Sequence, residues 1–86
     1  MSDTTVSIQH LSPEVISARA ERILTDTVFQ AALQRSRDRI VHQLLQTSPD
    51  ELDRRESLYY EARALGVVQR EIRAMKDAAL KHLNRT

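Results

Sequence analysis

Cysteine and tryptophan are missing from this chain of 86 residues, glycine occurs once, proline twice, phenylalanine once and tyrosine twice. Each scarcity removes a class of answer. Without cysteine there is no disulfide framework, no thiolate nucleophile and no thiolate metal ligand. One glycine and two prolines supply too little turn chemistry for a β-rich or loop-rich fold, so the expected class is all-α. No apolar run approaches the ~18–20 residues that a membrane-spanning helix needs. The first residues lack the basic start and apolar core of a secretory signal, so the expectation is a chain that is neither inserted in a membrane nor exported. His10, His42 and His82 are far apart, and there is no phosphate-binding glycine loop, nucleophile elbow or two-histidine metal spacing. Asp38 and His42 lie one helical turn apart and read as a surface contact. The expectation is a protein that is not an enzyme, with no catalytic, metal or cofactor-binding residues.

What is present is helical periodicity. Hydrophobic residues make up 41% and charged residues 29% of the chain, the balance of a soluble helical or coiled-coil protein. At this length one domain is expected, with a core thin enough that association often completes it. Met1 to Ser12 carries only isolated Val6, Ile8 and Leu11 and reads as a flexible N-terminal arm, leaving residues 13–86 as the single helical domain. Ser12-Pro13-Glu14 is a helix start, because serine accepts from a free first-turn amide and proline has no amide to orphan. Val15, Ile16, Ala20, Ile23 and Leu24 follow at helical spacing until Thr25-Asp26-Thr27, three residues that favour caps over helix interiors, predicts a kink or break. Thr27 with Gln30 fits a capping box, and Phe29, Leu33, Ile40 and Leu44 mark one face of a second segment through about Gln46. Ser48-Pro49-Asp50-Glu51 then predicts a third start, with Ser48 as N-cap, Pro49 in the first helical position and Glu51 bonding back to the cap amide.

From there Leu58, Ala62, Leu65, Val68, Ile72, Met75, Ala79 and Leu83 recur at three- and four-residue intervals, and 58, 65, 72 and 79 keep heptad spacing. At 1.5 Å per residue, 48–83 is about 54 Å long, 27–46 about 30 Å and 13–24 about 18 Å. Only the two earlier segments together match the long one. The expected fold is therefore an antiparallel helical hairpin with a kinked or broken first arm, the alternative being a three-helix bundle if the break reverses the chain, and in either case completed by oligomerisation.

Tyr60, Val67 and Ala74 form a second seven-residue line, about 180° around the helix from the main seam. An apolar line on an outer face marks either scattered surface residues or a contact for another chain, and these three are the candidate partner-binding residues. Charge is divided along the same helix. Between Pro49 and Ala62, Arg54 and Arg55 stand against five acids, a balance of −3; from Arg63 onward six bases stand against Glu71 and Asp77, a balance of +4. Asp50 with Arg54, Glu51 with Arg55 and Asp77 with Lys81 are spaced to pair along a helix. With a net charge of only +1 and no groove-reading motif, nucleic acid is the weaker expectation, resting on Arg35, Arg39, Arg63, Arg70 and Arg73.

The stretch from Ala20 to Leu80 carries Glu21-Arg22-Ile23-Leu24-Thr25-Asp26-Thr27-Val28-Phe29-Gln30-Ala31-Ala32-Leu33, then Arg55-Glu56-Ser57-Leu58-Tyr59 and Arg63-Ala64-Leu65. It resembles small helical proteins encoded in head and packaging gene clusters of tailed phages and prophages. Those proteins often have proline after the acid at the first break, where this chain has Thr27. The resemblance implies a setting, host cytoplasm or virion, and not a mechanism. It favours a non-catalytic assembly or adaptor protein acting through protein–protein contacts, with further copies of itself, a larger phage structural or packaging protein, or both as partners. A nucleic-acid-binding packaging accessory similar to a small terminase part is one alternative. A phage-encoded inhibitor of a host protein, offering the acidic turn as bait for a basic site, is the other.

Overall fold

The computed structural model describes residues 10–85 and contains three helices and, among those residues, no strand: α1 (Pro13–Thr25), α2 (Thr27–Leu45) and α3 (Leu52–Asn84). Most of the arm reading, Met1 to Gln9, lies outside the described residues. The first start is as expected: Ser12 is extended, its side chain accepts from the Val15 amide at 3.3 Å, and Pro13 opens the helix.

A single residue separates α1 from α2. Asp26, at φ −67° and ψ 126°, ends one helix and begins the next, its carboxylate accepting from the Phe29 amide at 2.8 Å. The capping box expected from Thr27 is therefore corrected by one position. A carboxylate is the stronger acceptor and also suits the positive end of the helix dipole. Gln30 serves the opposite end of the break, donating through Nε2 to the otherwise orphaned carbonyl of Leu24 at 2.7 Å. Thr25 closes the last turn of α1 by donating to the Glu21 carbonyl at 2.8 Å.

The start of α3 differs more. Ser48 to Glu51 form a turn closed by the Glu51 amide on the Ser48 carbonyl at 3.0 Å, and the helix begins at Leu52 with no side-chain cap. Ser48 is therefore not the N-cap, and Pro49 is not in the first helical position. The reciprocal bond survives, since the Ser48 amide donates to Glu51 Oε1 at 2.9 Å. The Ser48 hydroxyl donates to Asp50 and Glu51, so both carboxylates turn back to the serine. Those hydrogen bonds hold both groups below the ordinary carboxylate range, the Ser48 side chain acting most on Asp50 and its amide most on Glu51.

Both earlier helices lie against α3, α1 more heavily than α2. Where α1 meets α3, Ala20 and Ala79 are both buried, and small side chains let the helix axes approach closely. Glu21 pairs with Lys76 at the edge of that contact. Farther along, Arg37 Nη2 donates to Gln69 Oε1 at 3.0 Å, joining α2 to α3. The remaining buried hydrophobic residues among those described are Leu33, Ile40 and Leu58. Extents of 56 × 36 × 22 Å, the longest matching the ~50 Å of a 33-residue helix, leave a thin core spread along α3.

The seam on α3 is narrower than its apolar pattern. Leu58 and Ala79 are buried and Leu65, Ile72, Met75 and Leu83 half-buried, but Ala62 and Val68 are exposed, Val68 at 53%. Val68 sits about 80° around the helix from Leu58, beyond what the lightly packed α2 covers.

Two outcomes test these local assignments. Asp26→Ala is expected to cost about 1 kcal/mol and lower the melting temperature by several degrees, while Asp26→Asn retains most of the stability, as read by thermal circular dichroism. Because folding lowers the proton affinity of Asp50 and Glu51, their contribution is present above the ordinary carboxylate range. It is lost as the pH falls through their lowered folded values. The melting-temperature gap between the parent chain and Ser48→Ala should therefore be widest near neutrality and close below about pH 4.

Candidate interaction surface

The face of α3 opposite Leu58, Leu65, Ile72 and Ala79 is left open by both neighbouring helices. Tyr60 is 56% and Val67 47% exposed, and Ala74 is exposed with them. Ala64 and Ala78, also exposed, fall beside the same line. The result is a strip of one ring, one β-branched side chain and several methyl groups, flanked by Glu56, Arg63, Glu71 and Lys81, all exposed. Tyr60 is steadied by its neighbour: the rings of Tyr59 and Tyr60 meet edge to face with centroids 5.7 Å apart. Neither tyrosine enters the seam.

Sequence reading missed a second group of exposed side chains near the turn: Val41 at 53%, Leu45 at 78%, Leu52 at 71% and Tyr59 at 60%. The signal was present as apolar doublets. In Ile40-Val41 and Leu44-Leu45 the two members project about 100° apart on a helix, so a narrow contact takes only one. Ile40 is buried and Leu44 half-buried, and each leaves its neighbour in solvent.

Gly66 lies beside the strip. A Cβ built there would stand 3.2 Å from Arg70 Nη1, so the absence of a side chain lets Arg70 fold back over the helix backbone. The guanidinium is thereby drawn off the line of Val67. The five arginines considered for nucleic acid do not converge: Arg35 and Arg39 project from α2 roughly opposite the buried Leu33, while Arg63, Arg70 and Arg73 lie on one flank of α3. The α2 arginine that reaches α3 is Arg37.

The other constellations are accounted for locally. Asp38 accepts from Gln34 Nε2 at 2.9 Å and His42 lies 3.2 Å from Gln46 Nε2, so the expected Asp38–His42 contact is replaced by two separate glutamine contacts. The described residues contain no group of three or more histidine, aspartate or glutamate side chains placed to hold a metal ion.

An apolar cleft of about 230 Å³ lies between α1 and α3, lined by Leu11, Ile16, Ala20, Ile23, Ile72 and Met75, with Arg19 at its edge. It exists because Ala20 is too small to fill the space between the longer side chains on either side. Its lining carries one charged group, that of Arg19, and no nucleophile or carboxylate. No helix among the described residues is long and apolar enough to cross a membrane. Comparison of the chain with family models, curated proteins and solved structures finds no match.

Proposed function

We propose that this chain is a non-catalytic helical assembly or adaptor protein of a phage or prophage, acting through protein–protein contacts in virion head formation or packaging. The observation that carries the reading is the uncovered apolar strip of Tyr60, Val67 and Ala74 on the back of α3. In the proposed arrangement α1 and α2 form the two halves of a broken arm running antiparallel to α3. The pairs support this order: Arg37 meets Gln69 and the earlier Glu21 meets the later Lys76. With the inner face of α3 so occupied, the outer face is the one free to take a partner.

A thin core favours the same conclusion. Of the five hydrophobic residues buried among the described residues two are alanines, and the three aliphatic side chains contribute only about 1.5–3 kcal/mol each. A domain of this size with so little interior is stabilised by whatever it binds. The phage setting rests on the sequence resemblance, and with it the host cytoplasm or virion as the place of action.

Val67→Glu places a carboxylate in the middle of the strip. Association, whether with copies of the chain or with a partner protein captured on it, is expected to weaken by about a hundredfold, roughly 2.7 kcal/mol, with helicity unchanged. Light scattering on the eluting protein and circular dichroism measure the two. Unaltered association in that variant overturns the reading.

A further inference from the structure

We propose that the occupant of the outer strip is a second copy of this chain, its α3 lying antiparallel to the first with Val67 on the two-fold axis. The inference rests on the reading of that strip as an association face and adds who binds and in which register. The charge division along residues 49–85, α3 with the turn before it and the residue after it, selects the direction. A parallel pair sets the −3 stretch, whose Asp50 and Glu51 lie in the turn before α3, against its like, and the +4 stretch, which includes Arg85 just past α3, against its like, whereas an antiparallel pair sets each against its opposite.

The register follows from the residues themselves. In an antiparallel pair centred on Val67, positions equally far before and after it face one another across the seam. Seven residues away, the large Tyr60 meets the partner's small Ala74. Four residues away, Arg63 meets the partner's Glu71, and fourteen away, Asp53 meets the partner's Lys81. Each pairing occurs twice in the dimer, so at these positions the bulky residue falls on a methyl group and each acid on a base. All six positions are exposed in the single chain, and none is spent on α1 or α2 contacts. The one adverse neighbour is Arg70, which shares a flank with the partner's Arg63. Its folding over Gly66 moves that charge off the seam. A two-fold interface of this kind closes on itself and needs no second patch.

The chain has no cysteine, so introduced cysteines report without background. Under mild oxidation Val67→Cys should cross-link to itself. Tyr60→Cys should cross-link to Ala74→Cys when the two variants are mixed, and Tyr60→Cys should give no dimer alone. Efficient Tyr60→Cys homodimers would show parallel packing and overturn the register while leaving the association face intact. A chain that stays monomeric by light scattering to millimolar concentration, with no cross-link in any variant, overturns the second copy as occupant. The adaptor reading is then judged separately by Val67→Glu on a captured partner. As an independent arm, Arg63→Glu should weaken self-association at least tenfold, and adding Glu71→Arg should return it to within threefold of the parent. Failure of that rescue, with helicity preserved, also overturns the register.

Discussion

One change of direction at Asp26 sets the phase of everything that packs on α3. Ala20 and Leu33 are both buried, yet they are thirteen residues apart. On an uninterrupted helix that separation corresponds to about 220°, which would put them on nearly opposite sides. A straight helix from Pro13 to Leu45 could press one of them on α3 and would turn the other to solvent. The single extended residue resets the rotation between the two pieces. Its carboxylate on the Phe29 amide and the Gln30 amide group on the Leu24 carbonyl then hold the ends that the interruption exposes.

Much of this was legible before the structure, and the failures have physical causes. The start at Ser12-Pro13 and the heptad spine of Leu58, Leu65, Ile72 and Ala79 could be read because each depends on local chemistry or on period alone. The position of the cap at the break could not, since Asp26 and Thr27 are both competent caps and the choice depends on where the preceding helix can end. Ser48-Pro49-Asp50-Glu51 misled by three residues because the same bond, Ser48 amide to Glu51 carboxylate, serves a helix cap and a tight turn equally well. The width of a buried stripe is also not a property of its own helix. Val68 and Ala62 continue the period of α3, and they remain exposed because α2 covers too little of it.

The strip of Tyr60, Val67 and Ala74 was visible by period, as a line with nothing on its own chain to face. The exposed group near the turn was not, because Val41 and Leu45 adjoin residues that are buried or half-buried, and periodicity credits both members of a doublet. Placing the charges on the helices also changed their meaning. Arginines that look clustered in sequence at 35 to 39 point in different directions, with Arg37 reaching to α3. The division between an acidic stretch at the turn and the start of α3 and a basic stretch along the rest of that helix survives folding as a division along one rod.

The burial of Ala20 on α1 and Ala79 on α3 has a consequence for how this sequence can change over time. Ala20 on α1 borders the apolar cleft and has room to grow, whereas at Ala79 on α3, buried and outside that cleft, a larger side chain must push its neighbours aside. The opposite side of the same helix has no such ceiling within the single chain, and its side chains can grow or shrink freely as far as the monomer is concerned. Constraint on the inner face of α3 is therefore one of size, and any constraint on its outer face must come from outside the fold.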